Sequence, residues 1–210
     1  MQPRKPLIIA TANPGKLREF RTLLADLPFE LYNLAELGIA PPDESGASFL
    51  ENAMLKARHA AAMATVVNGV ATPHVAAIAD DSGLEVDALG GAPGIFSARY
   101  AGAGADDAAN NAKLLSALAE TPGEGRHARY RCALVCVFGT DDPAPLIAEG
   151  VWEGWILDEP RGSGGFGYDP YFWLSDLART AAELDPAEKN RLSHRGIAMR
   201  ALRDQLAARL

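Results

Sequence analysis

The sequence predicts an α/β fold in which helices flank one mixed β-sheet. The composition is that of an ordinary globular protein, with 48% hydrophobic and 22% charged residues in a chain of 210. Short apolar runs are followed by longer segments whose apolar residues recur at helical spacing. These strand-like and helix-like segments do not alternate strictly, so the pattern favours a mixed sheet over a doubly wound parallel one.

The first half of the chain predicts three strands and two helices. The strands correspond to "PLIIATA", "FELYNL" and "HVAAIADD", and the first helix corresponds to "GKLREFRTLLADL". The second helix, "FLENAMLKARHAAAMATVV", follows the loop "APPDESGAS", and Ser48 is its expected N-cap with Glu51 at the capping-box position. The first strand, loop and helix form a unit that often binds phosphate at the start of the helix.

The second half predicts a helix, two antiparallel strands and a helical C-terminus. The helix is "NNAKLLSALAE", and the strands are "ARYRCALVCVFG" and "APLIAEGVWEGWI". Cys132 and Cys136 share one face of a strand about 13 Å apart, too far for a disulfide, so we expect buried free thiols. "GGFGYDPYFWL" predicts a glycine loop followed by an extended segment, and Ser193 is the expected cap of the last helix.

Charge and hydropathy exclude two classes of partner. The net charge of −7 argues against a protein that binds nucleic acid by bulk electrostatics. The chain contains no apolar run near the roughly 18 residues that cross a bilayer. The apolar stretch near the N-terminus is also too short for a secretory signal. We therefore expect a cytoplasmic protein with no nucleic-acid or membrane partner.

The segment "IADDSGLEVDALGGAPGIFSARYAG" places two carboxylates where a buried strand is expected to end. Successive strand side chains point to opposite faces, so Asp80 and Asp81 should differ in role. One can face a ligand while the other braces a turn by accepting from nearby N–H groups. Such a pair suits Mg²⁺ binding or general-base chemistry, and the alternative is a solvated Asp-Asp-Ser-Gly turn.

The motif "TANPGK" at residues 11–16 predicts an anion site at a helix start. Asn13 can cap the helix, and Lys16 then stands near exposed N–H groups that attract anions. The motif is not a Walker P-loop, because the first glycine and the Ser/Thr after the lysine are missing. Lys56, one helical turn from Asn52, is a candidate for a second phosphate contact. In each case the alternative is a solvated lysine on a helix surface.

The glycine loop "GSGGFG" at residues 162–167 matches the pattern G-x-G-x-x-G but does not predict a dinucleotide site. That fingerprint must open a helix, whereas Pro170 follows here among aromatic residues. The glycines instead allow close backbone approach to a ligand, and Phe166 could stack on a planar base. The alternative is a glycine turn before an edge strand.

Two further segments carry charged candidates. "KNRLSHRG" at residues 189–196 is a local basic cluster that could meet phosphates or the edge of a base, or merely cap a helix. The loop "PDESG" offers Asp43 and Glu44 as additional metal ligands, although acidic loops are usually just solvated. Together, the candidate sites describe a pocket for a Mg²⁺–nucleoside triphosphate.

Five of these fragments, in this order across nearly the whole chain, resemble the inosine triphosphate pyrophosphatase family in its bacterial, HAM1-like form: "TANPGK", "FLENAMLKARHAA", "IADDSGLEVDALGGAPGIFSARYAG", "GGFGYDPYF" and "SHRG". The resemblance implies one domain over residues 1–210, with a mixed sheet, two lobes and a central substrate cleft. It also implies a Mg²⁺-dependent homodimer that converts ITP, dITP and XTP to the monophosphate and pyrophosphate, which clears deaminated purines from the nucleotide pool.

The resemblance also implies roles for particular residues. Asp81 would be the proton acceptor and a metal ligand, with Asp43 or Glu44 as a further ligand. The implied substrate contacts are Thr11, Ala12, Asn13, Pro14, Gly15, Lys16, Lys56, Ser82, Phe166, Gly167, Tyr168, Asp169, Lys189, His194 and Arg195. The nearest alternative function is a Maf-like pyrophosphatase that acts on modified pyrimidine nucleotides. A non-catalytic nucleotide sensor and a phosphatase that releases orthophosphate are more distant alternatives.

Overall fold

A computed structural model describes the fold over residues 4–11, 14–64, 66–67, 70–71 and 75–209. Five α-helices lie within these residues: α1 (Pro14–Leu23), α2 (Phe49–Met63), α3 (Asp107–Ala117), α4 (Pro186–Leu192) and α5 (His194–Ala208). Asp106 caps α3 and Asp185 caps α4, each accepting a hydrogen bond from a backbone N–H of the first turn. Ser48 caps α2 in the same way, as predicted, by accepting from the N–H of Glu51.

The strands of the described residues are β1 (Lys5–Ile9), β2 (Phe29–Asn33), β3 (Val66–Val67), β4 (Val70–Ala71), β5 (Ala76–Val86), β6 (His127–Val137), β7 (Leu146–Ile156), β8 (Phe172–Leu174) and β9 (Arg179–Thr180). Seven of them form one sheet in the order β2-β1-β5-β6-β7-β8-β9, and β3 pairs with β4 separately. β1 runs parallel to β2 and β5, whereas β8 runs antiparallel to β7 and β9. The predicted mixed α/β architecture is therefore confirmed.

Strand β5 is longer than the sequence predicted. The expected turn at the two aspartates is wrong, because the strand continues through Val86. Leu84 and Val86 are fully buried in an apolar cluster with Leu114 and Phe172, and this burial keeps the chain extended past the aspartates. Asp80 and Asp81 consequently lie inside a central strand rather than at its end.

Two other predicted boundaries differ from the structure. Helix α2 ends at Met63, whereas the pattern predicted a helix through Val67; the β-branched pair Val66–Val67 instead forms β3. The extended segment after the glycine loop begins only at Phe172, because residues 167–171 form a turn. No helix follows that loop directly, so the rejection of the dinucleotide fingerprint is confirmed.

The chain divides into two compact units, and strands β5, β6 and β7 contribute residues to both. Unit 1 comprises Met1–Asp81, Ala133–Glu149 and Ala198–Leu210, and unit 2 comprises Ser82–Cys132 and Gly150–Ile197. Each unit buries its own apolar residues, such as Phe20 and Ile78 in unit 1 and Leu114 and Phe172 in unit 2. Among the described residues, no helix has both the length and the apolar character needed to cross a bilayer.

The two cysteines are buried free thiols, as predicted. Burial raises the pKa of the Cys136 thiol to about 12, so this group stays protonated at neutral pH. Cys136 therefore serves as a small apolar residue rather than as a nucleophile.

Candidate active site

Unit 1 contains a carboxylate–lysine cluster formed by Glu44, Asn52, Lys56 and Asp81. The Lys56 ammonium lies 2.6 Å from a carboxylate oxygen of Glu44 and 2.8 Å from Oδ1 of Asp81. The Asn52 side-chain amide donates to Oδ2 of Asp81 at 3.2 Å. Asn52 and Lys56, which the helical spacing predicted to face the same way, therefore hold the two carboxylate oxygens of Asp81.

Helix α2 and the acidic loop before it assemble this cluster. Asn52 and Lys56 are one helical turn apart, so both reach β5 from one face of α2. Asn52 also accepts a hydrogen bond from the backbone N–H of Gly46 at 2.8 Å, which ties the acidic loop to the helix. A Cβ at Gly46 would lie 2.7 Å from the Asn52 side-chain oxygen, so a glycine is needed for this close approach. The loop in turn presents Glu44 to Lys56.

The electrostatics of the cluster favour a basic carboxylate beside a charged lysine. Burial raises the pKa of the Asp81 carboxyl, and the charge of Glu44 adds to this shift while Lys56 and Asn52 oppose it. Burial acts to lower the pKa of the Lys56 ammonium, but Asp81 and Glu44 outweigh burial and hold that pKa above its ordinary value. Asp81 is therefore better suited than an exposed aspartate to accept a proton.

Asp80 belongs to a different contact from Asp81, as the alternation of strand side chains predicted. Its buried carboxylate lies 2.7 Å from the Lys16 ammonium, in the first turn of α1. The expectation that one aspartate braces a turn is wrong, because the strand continues past both of them. Asp80 instead anchors a lysine at a helix start that has no acidic residue in its first turn. Cationic and N–H groups at such a position favour an anionic ligand.

The rest of the predicted phosphate loop is described only in part. Thr11 follows β1, whereas Ala12 and Asn13 lie outside the described residues. Pro14 and Gly15 form the start of α1, and proline suits the first position of a helix because its missing N–H would be unpaired there anyway. Their roles as substrate contacts stay predictions.

The carboxylates of the cluster fit a magnesium ion. Glu44 and Asp81 converge on one cation, the Lys56 ammonium, whereas Asp43 is exposed. Within the described ranges, no three His, Cys, Asp or Glu side chains come together as a metal site. Mg²⁺ commonly takes only one or two carboxylates and completes its shell with water and phosphate oxygens. Glu44 and Asp81 would supply the two carboxylates of such a site.

Unit 2 contains an aromatic–basic cluster formed by Phe166, Asp169, Lys189 and Arg195. The Phe166 ring is 47% exposed. The Lys189 ammonium lies 4.8 Å from the ring centre and the Arg195 guanidinium lies 6.0 Å from it. An exposed aromatic face flanked by two cations can stack on a planar base and donate hydrogen bonds to its edge.

Asp169 holds this cluster together from the inside. One oxygen of the buried carboxylate accepts from the backbone N–H of Phe166 at 2.8 Å and from the Lys189 ammonium. The other accepts from the hydroxyl of Tyr130 at 3.3 Å. Gly165 has a φ of 75°, and a Cβ there would overlap the Asp169 carboxylate, so this turn requires glycine.

The start of α5 supplies Arg195 to the cluster. The Ser193 hydroxyl accepts from the backbone N–H of Gly196 at 3.2 Å, which confirms the predicted cap. Arg195 donates to the hydroxyl of Ser82 at 3.0 Å, so Ser82 orients a residue of the aromatic–basic cluster. The His194 ring is buried and stacks on Tyr130, with ring centres 4.8 Å apart.

Tyr168, another predicted base contact, points inward. Its ring belongs to the buried core of unit 2, and its hydroxyl donates to the backbone carbonyl of Ser97 at 2.8 Å. A base contact from Tyr168 would therefore come from its backbone. The packed ring instead anchors the loop that carries Phe166.

Three residues of the site were missed by sequence reasoning. Tyr130 alternates onto the buried face of β6, a pattern that predicts burial but not its bond to Asp169. Asp107 and Asn111 of α3 both bond the backbone of Gly167. Their spacing of four residues places them on one helix face, but a spacing alone does not identify a partner in a distant loop.

Comparisons with known proteins cover nearly the whole chain. A family model described as the Ham1 family matches residues 7–205. The dITP/XTP pyrophosphatase of Xanthomonas campestris pv. campestris (strain 8004) is 52% identical over 204 residues, which cover 97% of this chain and 98% of that protein. The protein of the same name from Thioalkalivibrio sulfidiphilus (strain HL-EbGR7) is 52% identical over 203 residues, covering 97% of this chain and 99% of that protein.

Solved structures give the same result. A HAM1 protein from Coxiella burnetii superposes with a TM-score of 0.88 at 45% identity, covering 97% of this chain and 99% of that one. A nucleoside-triphosphatase or dITP/XTP pyrophosphatase from Mycobacterium abscessus superposes with a TM-score of 0.71 at 40% identity, covering 98% of both chains. These matches include the residues of both compact units.

Proposed function

Because the chain belongs to the Ham1 family, we propose that it is a nucleoside-triphosphate pyrophosphatase acting on dITP and XTP, and on ITP. Each substrate is cleaved to the nucleoside monophosphate and pyrophosphate, which removes deaminated purines from the nucleotide pool. The names of its relatives support the reaction and the first two substrates. ITP carries the same base as dITP and belongs to the proposal for that reason. A homodimer and a cytoplasmic location stay predictions from the sequence.

The proposed chemistry rests on one observation, the buried Asp81 carboxylate held by Lys56 and Asn52. Its raised pKa suits it to take a proton from the water that attacks the α-phosphorus, with pyrophosphate as the leaving group. Lys56 and Lys16, which lie beside the two aspartates of β5, would offset phosphate charge that grows in the transition state. Asp80 keeps the Lys16 ammonium at the start of α1 for this purpose.

Glu44 and Asp81 would hold a Mg²⁺ ion, which would neutralise negative charge on the phosphate oxygens. Removal of divalent cations with EDTA should therefore reduce dITP hydrolysis by at least about 100-fold. Added MgCl₂ should restore activity. A melting curve of the EDTA-treated protein serves as the control for folding. Full activity in EDTA, with an intact melting curve, would contradict the metal assignment.

The aromatic–basic cluster supports selection of the base. Hypoxanthine, which is the base of ITP and dITP, and xanthine carry a carbonyl at the purine 6-position, where adenine carries an amine. Lys189 and Arg195 are donors only, so they can bond the carbonyl but not the amine. A site built from donors rejects the wrong base strongly, because its own groups are left unpaired.

Replacing Phe166 with alanine should raise the KM for dITP about tenfold, because base stacking on an aromatic ring is lost. The kcat should change little, since the ring is not expected to touch the reacting phosphate. Phe96→Ala is the matched control: Phe96 is 54% exposed and also has an arginine over its ring, but it lies outside the aromatic–basic cluster. Equal effects of the two substitutions in steady-state kinetics would contradict base stacking by Phe166.

A substrate panel tests the proposed function. Purified protein with Mg²⁺ is given dITP, XTP, ITP, dATP, dTTP or a modified pyrimidine triphosphate, and pyrophosphate release is measured. We expect rapid release from dITP, XTP and ITP, with dATP and the pyrimidines largely spared. Preference for a modified pyrimidine would support the Maf-like alternative instead. Binding of dITP without turnover would indicate a nucleotide sensor.

A further inference from the structure

Helix α3 holds both backbone groups of one residue in the loop that carries Phe166. The carboxylate of Asp107 accepts from the N–H of Gly167 at 2.6 Å. The side-chain amide of Asn111 donates to the Gly167 carbonyl at 2.9 Å. We call these two hydrogen bonds the α3 clamp. Gly167 follows Phe166 directly, so the clamp acts next to the ring assigned to the base.

Gly167 has little besides hydrogen bonds to hold its conformation. Its φ is 62°, in the left-handed region that favours glycine. A Cβ at this position would meet nothing within 4 Å, so no neighbouring group packs against that side of Gly167. The two hydrogen bonds of the clamp therefore act directly on Gly167, in addition to the packed Tyr168 ring and the Phe166–Asp169 bond that also anchor this loop.

The Asn111 side chain is arranged to serve the clamp. It is 7% exposed, and its amide nitrogen donates to the carbonyls of Asp107 and Gly167. Within the described part of the chain, its side-chain oxygen accepts no hydrogen bond. A buried acceptor without a partner costs free energy, so the oxygen does not hold the side chain in this orientation. The two hydrogen bonds that the amide nitrogen donates hold it instead.

We infer that Asp107 and Asn111 are positioning residues for the substrate base. By fixing Gly167, they help to set the place of Phe166, whose backbone N–H also donates to Asp169. They thereby contribute to the discrimination between 6-keto and 6-amino purines. This inference rests on the proposed function, because only that proposal assigns the base to Phe166.

The chain offers a matched control for each clamp residue. Asn110 is also buried on α3, but it bonds the backbone of Ala101 and Ala98 rather than Gly167. Asp106 is also a carboxylate at the start of α3, but it caps the helix by accepting from Ala109 at 2.8 Å. Neither control residue bonds Gly167, so its substitution perturbs the same helix without removing a group of the clamp.

The experiment measures kcat and KM for dITP and dATP, together with melting temperature. The variants are Asp107→Ala and Asn111→Ala, with Asp106→Ala and Asn110→Ala as controls. Both clamp variants should raise the KM for dITP roughly tenfold and lower the dITP-over-dATP ratio of kcat/KM, with kcat close to wild type. The control variants should keep the wild-type ratio, whatever their melting temperature.

Conservative substitution separates positioning from folding. Asp107→Asn keeps a side-chain oxygen that can accept from Gly167, so it should retain a KM near wild type where Asp107→Ala does not. Asn111→Asp puts an acceptor against the Gly167 carbonyl and should be at least as harmful as Asn111→Ala. If Asn111→Ala does not fold, the exposed position of Asp107 still provides the test.

Two results would overturn the inference. The first result concerns a wild-type protein that prefers dITP to dATP. The positioning role of Asp107 and Asn111 is excluded if the clamp variants keep the wild-type dITP-over-dATP ratio of kcat/KM, or shift that ratio no more than the control variants do. A wild-type protein that does not discriminate overturns the proposed function, and the inference with it. The wild-type preference for dITP over dATP distinguishes the two results, because it is present in the first and absent in the second.

Discussion

Replacing Asp81 with asparagine should lower the turnover of dITP by about a thousandfold, because an amide cannot accept the proton of the attacking water. The fold should persist. Burial already disfavours the charged form of Asp81, and the neutral amide relieves that penalty. Lys56 keeps an ion pair with Glu44 after the change. We expect a melting temperature close to wild type and measurable dITP binding by calorimetry.

Asp142→Asn is the matched control for this substitution. Asp142 is also a buried aspartate of unit 1, but it accepts hydrogen bonds from the backbone of Phe138 and Ala144, outside the carboxylate–lysine cluster. Its replacement should leave turnover near wild type. A fully active Asp81→Asn protein, or equal losses in the two variants, would refute the general-base assignment.

Replacing Glu44 with glutamine should reduce turnover about 100-fold, whereas Asp43→Asn should leave it near wild type. Of these two acidic residues, Glu44 shares a cation with Asp81, since the Lys56 ammonium lies 2.6 Å from Glu44, whereas Asp43 is exposed. The two substitutions remove one charge each from adjacent residues, so they control for one another. Rates measured across a Mg²⁺ titration should show a higher half-saturating concentration for the Glu44 variant.

The opposite pattern would reassign the metal ligand. A large loss in Asp43→Asn with little change in Glu44→Gln would mean that the loop rearranges when metal binds. A Glu44→Gln protein with reduced turnover but an unchanged Mg²⁺ requirement would assign Glu44 to orienting Lys56 rather than to holding the metal.

Local periodicity accounts for the parts of the site that the sequence predicted well. Strand alternation separated Asp80 from Asp81, and helical spacing placed Asn52 and Lys56 on one face. In the structure the Asp80 carboxylate pairs with Lys16 and the Asp81 carboxylate pairs with Lys56, in agreement with strand alternation. The length of β5 was missed because polar and small residues at positions 80–83 suggest a turn, while burial in a central strand keeps them extended.

Contacts between distant segments account for what could not be predicted. Asp107 and Gly167 are 60 positions apart, and Tyr130 and Asp169 are 39 apart, so no local pattern pairs them. The choice between Asp43 and Glu44 likewise depends on the bond between Gly46 and Asn52, which shapes the acidic loop. The family resemblance named Tyr168 as a base contact, but it could not show that the ring of Tyr168 points inward.

A competition between dITP and dATP tests the proposed reaction and its base selectivity together. Equal concentrations of dITP and dATP are incubated together with the protein and Mg²⁺, and phosphorus NMR identifies the products over time. We expect dITP to be converted in one step to dIMP and pyrophosphate while dATP persists. Release of orthophosphate, or loss of dATP at a comparable rate, would contradict the proposed function.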